Sequence, residues 1–150
     1  MAVTQRQTSC GVIVTDGERL LLGHATRSPR WDIPKGVAEV AEGFADAAAR
    51  ELREETGLVA APGELQALGV HPYLRGKDLA LFAWLLAPLP DPHSLVCTSH
   101  FALADGTLLP EFDRFGLFPW DEALTRVGKS MAQVLASLPR EVLRRNPADR

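Results

Sequence analysis

Glu51, Glu54 and Glu55 stand at positions i, i+3 and i+4 of a run without proline, so on a helix of about 3.6 residues per turn their carboxylates share one face. Like charges placed this closely repel, and the grouping costs stability unless a cation neutralises it. Hard carboxylate oxygens of this kind suit Mg2+ or Mn2+. Alanines at 45, 47, 48 and 49, with Leu52, give the same helix a small apolar flank that can dock closely on a sheet and leave the acidic face open. The pattern predicts a helix over Phe44–Thr56, stopped by Gly57. A helix of this kind needs a sheet to lie on.

The rest of the chain supplies strands. Cys10–Thr15 (CGVIVT) and Arg19–Gly23 (RLLLG) are short β-rich runs joined across Asp16-Gly17, a dipeptide favoured in hairpin turns, and predict a hairpin. Trp31–Pro34 follows, then a loop from Lys35 to Gly43 that leads into the helix. Further strands are expected at Leu65–Tyr73 and Asp78–Ala87, and another at Arg114–Phe118. Pro88, Pro90 and Pro92 mark a long surface connection, because proline cannot continue a central strand. The last third reads as helical at Trp120–Val127 behind Pro119, and from Ser130 towards Arg145 with an interruption at Pro139. Asn146–Arg150 reads as a frayed tail. Strands mixed with few helices make a layered α/β domain, and a length of 150 residues fits one domain spanning the chain, 1–150.

Charge removes several functions. Sixteen basic against nineteen acidic residues leave a formal net charge of −3, with no basic field for DNA or any long nucleic acid. The longest apolar stretch, Leu79–Leu89, is about half the roughly 20 residues of a spanning helix, so no membrane partner is expected and a buried strand is the better reading. The start, MAVTQRQTS, is polar and unlike a secretory leader, so cytoplasmic localisation with Cys10 and Cys97 reduced is the expectation. His24, His71, His93 and His100 form no metal-ligand spacing, and the group Cys97, Ser99, His100 shows neither a positioned base nor an oxyanion hole. Oligomeric state cannot be read from the sequence.

The segment Gly36–Leu58, GVAEVAEGFADAAARELREETGL, carries more than a helix. It resembles the Nudix box: a Gly, five residues, Glu, seven residues, Arg-Glu, an apolar residue, any residue, Glu-Glu, any residue, Gly and an apolar residue. Gly36, Glu42, Arg50, Glu51, Leu52, Glu54, Glu55, Gly57 and Leu58 fill every fixed position. At ordinary residue usage, a chance match in a chain of this length is on the order of one in ten million. A solvated helix laced with pairs such as Arg50–Glu54 would account for the helix alone, but not for Gly36 and Glu42 at set distances before it.

The resemblance implies a Nudix-type α/β/α sandwich around a mixed β-sheet and a hydrolase of phosphoanhydride bonds in nucleoside-diphosphate-linked molecules. It implies Glu54 and Glu55 as ligands of Mg2+ or Mn2+, Glu51 as a ligand or as the activator of the attacking water, and the Gly36 carbonyl as a further ligand. By the same likeness Arg50 orients the carboxylates and Glu42 braces the loop. Trp31–Gly36, WDIPKG, is similar to the entry of the box in diadenosine tetraphosphate hydrolases and, with Gln for Lys35, in RNA pyrophosphohydrolases. Pro110–Asp113, PEFD, resembles a segment that supplies a further metal-binding glutamate in the latter, which makes Glu111 a fourth carboxylate.

Lys35, Arg27, Arg30 and Arg75, the last with Lys77, are the candidates for gripping a polyphosphate, each with the alternative of an ordinary solvated cation. A base can stack on Tyr73 or Phe112, whereas Phe82 and Trp84 belong to the core. The expected substrate is a small nucleotide: dinucleoside polyphosphates rank first, the 5′-triphosphate end of RNA second, free nucleoside triphosphates or nucleoside diphosphate sugars third. A domain that binds a nucleotide or a partner protein as a sensor, without turnover, is the alternative of another class. The box departs from its family at Val37 and Ala41, where Gly is common. A positive φ at either site, which Val in particular resists, would alter the path of the loop.

Overall fold

The structure is a computed structural model that describes residues 6–144. The expected tail at Asn146–Arg150 lies outside the described residues. Among the described residues, nine strands and four α-helices follow one another as β1 (Gln7–Thr15), β2 (Arg19–Ala25), β3 (Trp31–Asp32), β4 (Lys35–Val37), α1 (Phe44–Thr56), β5 (Gln66–Leu74), β6 (Lys77–Leu85), β7 (His100–Ala102), β8 (Leu108–Pro110), β9 (Phe112–Pro119), α2 (Trp120–Arg126), α3 (Lys129–Ala136) and α4 (Arg140–Arg144).

Seven strands form a mixed sheet in the order β3-β2-β1-β6-β5, with β4 also on β1 and β9 on β2. β1 and β6 run parallel in register from Gln7↔Lys77 to Thr15↔Leu85, and the other pairs in this sheet are antiparallel. Side-chain alternation divides the apolar residues between two faces. Cys10, Val12, Val14, Leu21, Ala80 and Phe82 pack with Ala47, Ala48 and Leu52 of α1. Ile13, Leu20, Leu22, Leu79 and Leu81 pack on the opposite face with Trp120 and Ala123 of α2, Met131 and Leu135 of α3, and Leu143 of α4. The result is the α/β/α sandwich around a mixed sheet.

α1 keeps its expected bounds. Gly57 adopts φ 83°, a left-handed cap, and its N–H donates to the Arg53 carbonyl at 2.8 Å. The alanine flank lies directly on the sheet, with Ala47, Ala48 and Leu52 fully buried. Burying Leu52 stabilises by roughly 1.5 to 3 kcal/mol.

Two expectations need correction. The β1–β2 turn forms, with Asp16 Oδ1 accepting the N–H groups of Glu18 and Arg19 at 2.9 Å each, but the strands pair only at Thr15↔Leu20. Beyond that point β4 takes the edge of β1, and β2 pairs with β9 along its length. Residues 35–37, expected as loop, are therefore strand, with Cys10 opposite Gly36 and Gly11 opposite Lys35. The small β7–β8 hairpin, unforeseen in the sequence, stands apart from the main sheet.

Candidate active site

Strand β4 carries the start of the box against the helix that carries its end. A Cβ on Gly36 would overlap the carboxylate of Glu51, so only glycine allows this approach. One residue earlier, the Lys35 backbone N–H donates to Glu55 Oε2 at 3.1 Å. Glu55 is 2% exposed, an unusual place for a carboxylate.

Arg50 ties the loop to the helix. Its Nε donates to Glu42 Oε2 at 2.9 Å and its Nη2 to Glu42 Oε1 at 3.0 Å, a two-armed contact. Nη1 reaches Glu51 Oε1 at 2.9 Å and Glu54 Oε2 at 3.3 Å. Glu42 also accepts the Glu39 N–H, so it fastens the loop from inside while Arg50 spreads over the acidic face. These hydrogen bonds, Arg50's first, pull the Glu42 carboxyl down to about 2, and Glu42 in turn raises the Arg50 guanidinium above its ordinary value. The loop turns just before Glu42, at Ala41, whose φ is 64°. Val37 sits in β4 without a positive φ, so alanine accepts at residue 41 the left-handed conformation that glycine would adopt freely.

Glu111, between β8 and β9, joins the same field. Burial, followed by the charges of Glu111 and Glu51, pushes the Glu55 carboxyl up to about 10. Glu111 is raised by its own burial and then by Glu51, with a smaller part from Glu54. Glu51, Glu54, Glu55 and Glu111 thus lie in one electrostatic field. Among the described residues no three acidic, imidazole or thiol side chains are drawn into a closed metal cage, and Arg50 bridges two of the four carboxylates. The donor chemistry fits a hard divalent cation: oxygen throughout, a buried glutamate that burial and its neighbours hold protonated, and at Gly36 a backbone with no side chain between its carbonyl and Glu51.

The remaining candidates separate. Lys35 does not reach outward: its Nζ lies 3.1 Å from Asp32 Oδ2 and 5.8 Å from the centre of the Tyr73 ring. Burial opposes its charge, yet Asp32 and then Tyr73 hold the ammonium above its ordinary range. Arg30 adds positive field at Asp32 and Tyr73, and a side chain on Gly128 would meet its Nη1 at 3.5 Å. Lys35, Tyr73 and Arg30 therefore share a corner. Arg27 lies exposed in a turn at φ 61°, and Arg75 is exposed beyond Tyr73 in the β5–β6 turn.

Sequence reasoning missed two parts. Asp32 was signalled by its place in WDIPKG, three residues before Lys35. The segment Val96–Ser99 gave no such signal, because it acts through its backbone: the Glu54 carbonyl accepts the N–H of Thr98 at 2.7 Å, its hydroxyl at 3.0 Å and the N–H of Ser99 at 3.2 Å. Ser99 then accepts the Glu111 N–H at 3.0 Å, which connects the last turn of α1 to the fourth carboxylate.

Compared with known proteins, residues 5–138 match the Nudix domain family. The chain belongs to the Nudix family. By class it is a hydrolase acting on pyrophosphate bonds. This Nudix chain is 35% identical over 150 aligned positions to the 17.7 kDa protein of the e-segB intergenic region of Enterobacteria phage T4, covering 91% of this chain and 97% of that protein. Three solved structures share the fold. The ORF135 protein of E. coli is 24% identical with a TM-score of 0.60, covering 97% of this chain and 96% of its own. The Ap4A hydrolase of C. elegans, a binary complex, is 20% identical with a TM-score of 0.61, covering 85% and 92%. The dihydroneopterin triphosphate pyrophosphohydrolase of E. coli is 16% identical with a TM-score of 0.63, covering 89% and 95%. Among the described residues, no helix of this Nudix protein is long and apolar enough to cross a membrane.

Proposed function

We propose that this chain is a Mg2+- or Mn2+-dependent hydrolase of dinucleoside polyphosphates, a single catalytic domain working in the cytoplasm. The observation that carries this reading is the grouping of Glu51, Glu54, Glu55 and Glu111 beside Gly36. Glu54, Glu55, Glu111 and the Gly36 carbonyl would hold the cation, with Glu51 as a further ligand or as the carboxylate facing water. A bound Mg2+ or Mn2+ supplies Lewis-acid polarisation of phosphate oxygens and lowers the pKa of water.

The protein's own part is positioning. Arg50 Nη1 lies between Glu51, at 2.9 Å, and Glu54, at 3.3 Å, and so draws the two carboxylates toward one point. The Lys35 N–H holds one oxygen of Glu55, and Thr98 with Ser99 hold the backbone of Glu54. In the reaction a water oxygen bonds to phosphorus, the anhydride P–O bond breaks, and a carboxylate of this group accepts the proton of the water. Glu54 and Glu55, whose loss would be the expected sign of a sensor without turnover, are both in place, which disfavours that alternative.

The choice of substrate rests on WDIPKG, on the corner formed by Lys35, Tyr73 and Arg30, and on the net charge of −3, which gives an RNA chain little support. The test is release of phosphate and nucleotides, with Mg2+ or Mn2+, from diadenosine polyphosphates, triphosphorylated and capped RNA, nucleoside triphosphates and ADP-ribose. Wild type is compared with Glu54→Gln. Cleavage of the diadenosine polyphosphates by wild type alone is the expected result. Preference for triphosphorylated RNA would move the assignment to an RNA 5′-pyrophosphohydrolase, and a folded protein that cleaves nothing would leave a nucleotide-binding sensor.

A further inference from the structure

Strand β2 ends in a closed turn. The Ala25 N–H donates to the Arg30 carbonyl at 2.9 Å and the Ser28 N–H to the Ala25 carbonyl at 3.1 Å, with Arg27 at φ 61° inside the turn. Thr26, half-buried at its start, sends both of its donors to the junction of β8 and β9. Its N–H donates to the Glu111 carbonyl at 3.1 Å and its hydroxyl to the Pro110 carbonyl at 2.5 Å.

Those two carbonyls stand on either side of the Cα of Glu111. A residue has two soft backbone torsions, so holding the peptide plane on each side sets both, and with them the direction of the Cβ. The Glu111 N–H is held as well, by the Ser99 carbonyl at 3.0 Å, and the Ser99 N–H in turn donates to the Glu54 carbonyl at 3.2 Å. What acts on the Glu111 carboxylate itself is burial, then the charges of Glu51, Lys35, Glu54 and His100. Its aim is therefore inherited from the backbone.

The strand prepares this arrangement. β2 and β9 pair Gly23↔Phe115, His24↔Arg114 and then Ala25↔Phe112, which leaves Asp113 as the extra residue of a bulge. Bulges re-aim side chains beside active sites. Phe112 and Phe115, which a regular strand would turn to opposite faces, instead stand edge to face with ring centres 5.9 Å apart. The alternation is thus reset at Asp113, whose Oδ1 is held by His24 Nδ1 at 2.8 Å. Thr26 takes up the pairing just beyond that reset, at the residue whose side chain the chemistry needs.

We propose that Thr26 is a positioning residue for Glu111, its N–H and hydroxyl together aiming the fourth carboxylate at the group formed by Glu51, Glu54 and Glu55. This rests on the hydrolase reading above, in which Glu111 holds the cation. Threonine suits the task, because its β-branch restricts χ1 and its hydroxyl is a donor that valine, of nearly the same shape, lacks. A threonine that only braced its own turn would matter to stability and leave the grip of the carboxylates on a cation as it was.

Electron paramagnetic resonance of free Mn2+, with the metal alone as probe and no substrate, separates the two roles. Thr26→Val is expected to weaken Mn2+ binding by about tenfold, the lower end of what losing the support of a ligand costs, while Thr26→Ser keeps the donor and stays within about twofold of wild type. Glu111→Gln should weaken binding too, and adding Thr26→Val to it should change nothing further, because residues that act through one group are not additive. Thr26→Ala, which puts no new atoms against the turn, carries the same test should valine unfold the chain, and circular dichroism with a urea midpoint checks every variant. A folded Thr26→Val that binds Mn2+ like wild type, or that loses as much again in the Glu111→Gln background, would overturn this inference and leave the hydrolase reading standing. Wild type that binds no Mn2+ would overturn both.

Discussion

The carboxylate of Glu51 occupies the space that a side chain on Gly36 would need. One residue thus sets the closeness of β4 to α1, and any larger residue must push Glu51 off its bond with Arg50. Gly36→Ala is expected to lower kcat by about 100-fold or more, the scale on which a misplaced catalytic group acts. Far-ultraviolet circular dichroism and a thermal melt check that the fold survives. A variant with unchanged kcat would show that the approach of Gly36 to Glu51 is incidental.

Ala41 holds φ 64° in the loop before Glu42. An L-residue in this region carries a cost of about 1 to 2 kcal/mol, part of which glycine returns through the greater freedom of its unfolded chain. Ala41→Gly should therefore stabilise by up to about 1 kcal/mol, read as a higher urea midpoint at constant m-value. Destabilisation would mean that the methyl group packs more than the geometry indicates.

Glu55 keeps its proton up to about 10 in the metal-free fold, whereas a glutamate of the unfolded chain loses it near 4.5. Between those values the unfolded chain binds fewer protons, so this residue lowers stability progressively as pH rises from about 4.5 towards 10. Glu55→Gln removes the penalty and leaves an oxygen for the Lys35 N–H. Calorimetry in EDTA should show a higher Tm for the variant at pH 7 by several degrees, on the order of 1 to 3 kcal/mol, and a flatter pH profile. Saturating Mg2+ should reverse the ranking, since only wild type exchanges the proton for the cation. Equal gains from Mg2+ in both proteins would remove Glu55 from the ligand set.

Lys35 and Asp32 form a partly buried ion pair at 3.1 Å. Lys35→Met leaves Asp32 without its cation and should cost about 1 to 2 kcal/mol, after allowance for the water that still reaches both groups. Adding Asp32→Asn should recover most of this. Activity separates the two roles of Lys35: a loss restored in the double variant means support of the corner, and a rise in KM that persists in the double variant means contact with phosphate.

Much of this was legible in the sequence because its causes are local. The ends of α1 follow from a run of helix formers and Gly57, and the shared acidic face follows from the spacing of Glu51, Glu54 and Glu55 alone. The two faces of the sheet follow from alternation in β1 and β6. What escaped depends on partners far along the chain. Three residues at Lys35–Val37 become a strand only because Ser9–Gly11 offers an open edge, and β2 leaves β1 for β9, nearly a hundred residues later. Thr98 and Ser99 act through backbone N–H groups that every residue but proline carries, so no side-chain pattern could mark them.

Ser99 and Glu111, joined by a backbone hydrogen bond at 3.0 Å, close the β7–β8 hairpin at its base. Everything beyond that closure hangs outside the main sheet, while the two residues at the closure are the ones that reach the helix and the carboxylates. Residues 101–109 are therefore insulated from the chemistry: insertions, deletions or grafted loops there change the outline of the protein and keep the separation of its working groups. An affinity tag or a fluorophore placed at this tip would report on the molecule without disturbing it.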